Sequence, residues 1–320
     1  MKEKIIVHDH HRDGLDRRGF LECMAWAGTG MLWTVGGGVL GSALLPRRAG
    51  AAGAAAGGGF SFVQISDSHI GFSKEGINTD VAGTLKEAIA RINALPTAPD
   101  FILHTGDLTH LASAEEFDTL DQLLKGLKTR RIFFVPGEHD VAGDNGKLYR
   151  ERFGQGSTGG GWQSFDHRGV HFVGLVNVLD IQASGLGALG REQLAWLAND
   201  LKGLSGETPV VVFAHIPLWE LYPQWGWGTH DGAQALAFLK RFGSVTILNG
   251  HIHQTMKKIE GAVTFHTARS TAFAQPEPGQ APKPGPMKVE AGQLRELLGL
   301  TEVSYLEGNQ ALAVVDSPLS

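Results

Sequence analysis

The chain has 320 residues, a net charge of −5 from 28 lysines and arginines against 33 aspartates and glutamates, and one cysteine. Lacking a basic excess, it has no footprint for a nucleic-acid polymer, whose binding runs on counterion release. Cys23, standing alone, excludes an intramolecular disulfide, a multi-cysteine metal site and a CxxC redox pair, so any bound metal falls to histidine and carboxylate.

Residues 1–56 read as separate from the globular domain, which is expected over 57–320. The run Asp16-Arg17-Arg18-Gly19-Phe20-Leu21-Glu22 precedes an apolar, glycine-rich stretch over 24–45, then Pro46-Arg47-Arg48 and a small-residue tract over 49–59. This arrangement is similar to a twin-arginine (Tat) export signal, with Glu22 where lysine is usual. The alternative is an uncleaved anchor, since the apolar stretch has the length to span a bilayer. Six glycines within it, Gly28, Gly30, Gly36, Gly37, Gly38 and Gly41, make it a poor span. Cleavage would remove seven basic and five acidic residues together with Cys23, taking the net charge from −5 to −7. The resemblance implies the Tat translocon as a partner, a periplasmic or extracellular location, and a cofactor inserted before export. Membrane attachment follows only if the signal is retained.

From residue 57 onward, short apolar runs alternate with helical patterns. Strands are expected at 60–65, 101–104, 131–135, 170–175, 210–214, 245–248, 263–266 and 311–315, with helices at 80–95, 113–128, 191–204 and 232–241. Ser113 and Glu116 have the spacing of a capping box. Several strands lack alternation, as strands covered on both faces do, which points to an α/β sandwich. A glycine loop at 154–161 and a proline-rich segment at 275–287 interrupt the rhythm and read as surface excursions.

Metal-ligand types gather just after strand ends. Asp67 and His69 follow the first strand, Gly106-Asp107 the second, and Gly137-Glu138-His139-Asp140 the third; His215 follows 210–214, and Gly250-His251-Ile252-His253 follows 245–248. In an open α/β sheet the carboxyl ends of strands meet at one crevice, where ligands bind. Seven imidazole and carboxylate donors exceed what one metal takes, so two metals are expected.

This ordered set resembles the calcineurin-like metallophosphoesterase family, whose pattern is Asp-x-His, Gly-Asp, Gly-Asn-His-Asp/Glu, His and Gly-His-x-His. Gln193, Trp196-Leu197 and Pro217 extend the likeness, which spans roughly 60–266. It implies a four-layer αββα sandwich with Asp67, His69 and His253 on one metal, Glu138, His215 and His251 on the other, and Asp107 bridging. Such cations, about 3.5–4 Å apart, acidify a shared water and clamp phosphoryl oxygens, so the implied reaction is hydrolysis of a small phosphoester by the bridging hydroxide. His139 would stabilise the transition state or protonate the leaving alkoxide, and Asp140 would orient it. Within the family the motifs look most like the branch acting on cyclic nucleotides and glycerophosphodiesters; a phosphomonoesterase is the alternative.

Glu138 departs from the family's Asn. Two divalent ions facing three carboxylates retain one positive charge instead of two. A mixed-valence Fe(III)/M(II) pair drawn from Fe, Mn or Zn would restore the balance. Otherwise Glu138 swings away, leaving a weakened site or a metal-binding module with little catalysis.

The remaining histidines read differently. His104, His167, His171 and His266 are expected to be structural, while His110 stands three residues after Asp107, where purple acid phosphatases carry a tyrosine ligand. Four aromatics, Trp219, Tyr222, Trp225 and Trp227, crowd 219–227. They either pack on a helix or form a platform for a base or other flat leaving group. Trp219, Trp225, Trp227 and the nearby His230 are the candidate substrate contacts.

Overall fold

A computed structural model of the chain describes residues 31–36, 39–44, 58–290, 292–307 and 311–320. The chain divides into two units, Met1–Ala52 and Gly53–Ser320. In the first, β1 (Met31–Gly36) and β2 (Val39–Leu44) pair antiparallel. The 16–22 motif of the expected export signal lies outside the described residues. Among the described residues, no helix is long and apolar enough to cross a membrane.

The second unit contains two mixed sheets. Strands β3 (Phe60–Ile65), β4 (Phe101–His104) and β5 (Ile132–Phe134) run parallel. Beside β3 lies antiparallel β12 (Gly299–Tyr305), itself paired with β13 (Ala313–Pro318). The other sheet comprises β6 (Gln163–His167), β7 (Val170–Gly174), β8 (Val210–Ala214), β9 (Val245–Asn249), β10 (Lys257–Glu260) and β11 (Val263–Thr267). Its order is β10-β11-β9-β8-β7-β6, parallel at the centre and antiparallel at both edges.

Apolar faces hold these layers together. Phe62, Phe101 and Val303 of the first sheet meet Phe172, Val211 and Phe213 of the second. Helices α1 (Val81–Asn93) and α2 (Ala114–Leu124) cover the outside of the first sheet, with Tyr149 from α3 (Lys147–Phe153). On the second sheet lie α4 (Gly190–Leu201) and α5 (Gly232–Leu239). The result is the expected four-layer sandwich, and burial of both faces explains why the central strands do not alternate. Ser113 accepts from the Glu116 N–H at 3.2 Å while the Glu116 carboxylate accepts from the Ser113 N–H at 3.3 Å, completing the capping box.

Strands β6, β10 and β12 and helix α3 were not anticipated. The sequences QSFDH and KKIE of β6 and β10 belong to sheet edges, where polar side chains are favoured and the hydrophobic signal is lost. In β12, Glu302 and Ser304 interrupt an otherwise buried run.

His171 has the structural role expected of it. On β7 its Nδ1 lies 2.8 Å from Asp166 and its Nε2 2.9 Å from Asp200 of α4. Burial disfavours the charged ring, but the two carboxylates outweigh burial and raise its pKa above 6.5. Its charge-dependent stabilisation is therefore complete below the unfolded pKa and disappears as pH rises through the folded one. We expect His171→Gln to cost about 2 kcal/mol at pH 5.5 and measurably less at pH 9, read from urea unfolding at both pH values.

Candidate metal centre

The ligand loops leave β3, β4 and β5 of one sheet and β8 and β9 of the other, so the crevice lies between two sheets and not at the edge of one. The Asp67 N–H donates to the Gly106 carbonyl and the His69 N–H to the Asp107 carbonyl, both at 2.9 Å, stitching the first two loops together. Asp67, His69, Asp107, His251 and His253 all have positive φ, between 41° and 71°. Non-glycine residues take this conformation at a cost and keep it where the surroundings impose it, commonly at functional sites. Gly106, at φ 97°, lies against the His215 ring, and Gly137 lies against the Asp107 carboxylate; a Cβ at either position would collide with these side chains.

Of the five convergent donor sets among the described residues, two hold the expected ligand triads. Asp67, His69 and His253 converge in one, and Glu138, His215 and His251 in the other. In the first, His253 Nε2 lies 3.2 Å from both Asp67 Oδ1 and His69 Nε2. In the second, Glu138 places Oε2 2.9 Å from His215 Nε2 and Oε1 3.0 Å from His251 Nδ1. Asp107 Oδ2 sits 3.4 Å from His69 Nε2 and 3.4 Å from His215 Nε2, one nitrogen of each group, which is a bridging position. Glu138 therefore points into the second group and has not swung away.

These residues fit a pair of cations. Ligand nitrogens bound at about 2.1 Å to one metal stand roughly 3.0–3.4 Å apart, the separation of His69 and His253. Thr105 and Phe273 carbonyls accept from Nδ1 of His215 and His253, both at 2.7 Å, leaving each Nε2 as the inward-facing donor atom. Glu138 Oε2, His215 Nε2 and His251 Nδ1 are buried without a well-aligned hydrogen bond. Among the described residues, no lysine or arginine pairs with Asp67, Asp107 or Glu138, whose only ionic neighbours are histidines. Buried carboxylates need positive charge, and metal supplies it.

Electrostatics across the site agree with this assignment. Burial opposes ionisation of Asp67, but His253, His215 and His69 together hold its carboxyl well below the usual range. Burial lowers His69 to about 3, so its lone pairs are available for coordination. Glu138 side-chain exposure is 28% and that of His251 13%, whereas His69, His253 and Asp67 lie at 2% or below, so the second group is the one open to solvent.

His139 lies against the bridge. Its backbone N–H donates to Asp107 Oδ1 at 3.0 Å, and its ring Nδ1 lies 2.7 Å from the His110 carbonyl, which can only accept. That fixes Nδ1–H and leaves Nε2 as the ring atom with no backbone partner. The role expected for Asp140 needs correction. Its buried carboxylate accepts from the N–H groups of Gly137, Leu108 and Thr109 and from the Thr109 hydroxyl, at 2.8–3.0 Å, and makes no hydrogen bond to His139. Asp140 thus joins the Asp107 and Glu138 loops and does not orient the imidazole. Burial and the Asp107 carboxylate push its carboxyl up to about 7 against those donors.

A cavity of about 220 Å³ opens over both groups, and His110, His139, Trp225 and Trp227 help to line it. Two candidate substrate contacts do not reach it. Trp219 is 9% exposed and packs on Phe265 at 4.8 Å in the core under α4 and α5. His230 is exposed and absent from the lining, held by its N–H to the Gly187 carbonyl. His110 does line the cavity, with its ring stacked on His139 at 4.8 Å. The proline segment also differs from expectation, because Gln275 and 284–286 form part of the wall.

Other contributors were missed in the sequence. Asn249, just before the Gly-His-x-His motif, donates to the carbonyls of Ala214 and Ile216 on either side of His215, and Asn177 caps the same turn through Ile216. Phe273 stacks on His69 at 4.7 Å while its carbonyl holds His253. The adjacency of Asn249 to the motif was the available signal; Phe273 and Gln275 carried none.

Comparison with known proteins bears on the same residues. The sequence pattern of the calcineurin-like phosphoesterases matches residues 60–255. A probable cyclic nucleotide phosphodiesterase of Vesicomyosocius okutanii is 27% identical over 220 residues, covering 67% of this chain and 87% of the relative. A serine/threonine-protein phosphatase of Danio rerio is 29% identical over 227 residues, covering 62% of this chain and 71% of the relative. The crystal structure of a dimetal phosphatase from Danio rerio superimposes with a TM-score of 0.61 at 15% identity, covering 82% of this chain and 96% of the other.

A two-sheet sandwich with paired donor groups at its strand ends defines a hydrolase with a binuclear metal centre. Because the family pattern spans both donor groups, the chain belongs to the calcineurin-like phosphoesterase family, whose members here include phosphodiesterase and phosphatase relatives acting on phosphoric ester bonds.

Proposed function

We propose that the protein is an exported phosphodiesterase that hydrolyses small monoanionic diesters of the cyclic-nucleotide or glycerophosphodiester kind. The observation that carries this reading is the cavity over the metal centre, whose lining contains no lysine or arginine. A phosphomonoester brings a second negative charge that no lysine or arginine of the lining would offset. The name borne by the Vesicomyosocius relative supports the diester reading. The zebrafish phosphatase keeps a monoesterase as the second reading. The 16–22 motif is the ground for export.

Asp67, His69 and His253 would hold one cation and Glu138, His215 and His251 the other, and the pair would supply an acidified water and offset charge on the phosphoryl oxygens. Asp107 holds the groups in register, and His139 presents Nε2 to the cavity, where it can deliver a proton to the departing alkoxide. Metal content by elemental analysis, paired with turnover of bis(p-nitrophenyl) phosphate and p-nitrophenyl phosphate on one sample, tests the assignment. Two metals per chain and faster diester cleavage are expected; faster monoester cleavage would promote the second reading. Exchanging Arg17 and Arg18 for lysine should hold the protein in the cytoplasm if export follows the Tat route.

Glu138, clamped between His215 and His251, acts in this reading as a ligand balanced by a trivalent partner in an Fe(III)/M(II) pair. Glu138→Asn should then weaken metal binding at the second group by about 10–100-fold and lower iron content, measured by titration and elemental analysis. A variant that gains activity with its metals intact would show that Glu138 impairs the site.

A further inference from the structure

We propose that Trp225 and the tip of the proline segment, braced by Gln275, form a slot beside the metals for a flat, uncharged, apolar ester substituent of the substrate. This rests on the phosphoesterase reading above and adds which ester the site prefers.

The proline segment is tied down at several points. The Met287 N–H donates to the Ala274 carbonyl at 2.9 Å, closing the segment on itself. Gln254 Nε2 donates to the Pro276 carbonyl at 3.1 Å. Gln275 makes the decisive link: its Nε2 donates to the backbone carbonyl of His251 at 2.8 Å, and its Oε1 accepts from the Gly285 N–H at 3.1 Å. One amide thus fastens a metal-ligand loop to the tip where Pro284 and Pro286 face the cavity. Proline rings hold φ near one value, so this wall needs little ordering when a ligand arrives.

Trp225 supplies the aromatic surface. Unlike Trp219, which belongs to the core, it is only half-buried and lines the cavity. Tyr222 and the fully buried Trp227 meet its ring edge-on, at 5.2 Å and 5.1 Å, and hold it in place. With apolar rings and no lysine or arginine on the wall, a charged substituent such as a further phosphate finds no partner. A flat apolar one finds a stacking surface.

The test uses two non-hydrolysable, monoanionic probes with the same head group, methyl(phenyl)phosphinate and dimethylphosphinate, titrated into the metal-loaded protein and followed by isothermal titration calorimetry. Methyl(phenyl)phosphinate is expected to bind about tenfold more tightly, the effect of one stacked ring. That ratio should fall to about twofold in Trp225→Ala, and Gln275→Ala should also lower it by releasing the wall, with metal content measured for every sample. A wild-type ratio near one, or a ratio unchanged in both variants at full metal content, would overturn the slot. Should Trp225→Ala fail to fold, the wild-type ratio and Gln275→Ala decide the matter. Protein that cleaves diesters without a phenyl preference, or that cleaves them and binds neither phosphinate, refutes the slot alone; protein that binds neither phosphinate and cleaves no ester refutes the reading beneath it.

Discussion

Replacing Asp107 by asparagine is expected to strip most of the metal from the protein and to lower kcat by on the order of 10³-fold, about 4 kcal/mol of transition-state stabilisation. The reason is its place: Oδ2 is 3.4 Å from a nitrogen of each donor group, so one carboxylate serves both. Its Oδ1 also accepts the His139 N–H, so the same side chain sets the position of the proposed acid. Asparagine keeps the volume but carries no charge and offers only one oxygen, leaving Asp67 and Glu138 as the only carboxylates of the two donor sets. Elemental analysis and turnover of a diester, measured together, check the result. Retention of both metals with near-normal kcat would show that the groups act independently.

His139→Ala should leave metal content intact and still lower kcat by about 10²–10³-fold, the usual contribution of one positioned proton donor. His139 converges with Asp107 and Glu138, yet its ring is committed through Nδ1 to the His110 carbonyl at 2.7 Å, and neither the Asp67, His69 and His253 set nor the Glu138, His215 and His251 set includes it. The deficit should shrink for leaving groups that depart without a proton, so p-nitrophenyl esters should suffer less than alkyl esters. Equal loss on both, or loss of metal, would assign His139 a structural or ligand role instead.

Among the site residues, legibility followed the distance over which each interaction acts. Ser113 and Glu116 predicted their capping box because both partners lie within one helical turn. The seven donors were visible because each follows a short apolar run that reads as a strand. Asp140 was misread because adjacency to His139 suggested a contact, whereas its carboxylate reaches back to Leu108 and Thr109 on another loop. Trp219, Trp225 and Trp227 look alike in the chain; their fates diverge because the first faces α4 and α5, the second faces the cavity, and the third is fully buried against the second.

By itself, then, the sequence determined the class of chemistry. Histidine and carboxylate at five strand ends, with Cys23 the lone cysteine, leave hard and borderline metal ions as the agents. It also determined the layered α/β architecture, through strands too apolar to face water on either side. Only the tertiary structure decided that the ligand-bearing strands come from two sheets, that Glu138 turns inward between His215 and His251, and that Gln275 fastens a proline-rich segment to the cavity wall. The physical reason is that burial and periodicity are properties of short segments. Which loops meet above the sheets depends on how the aromatic interior of Phe62, Phe101, Phe172 and Phe213 aligns two sheets whose strands lie far apart in the chain.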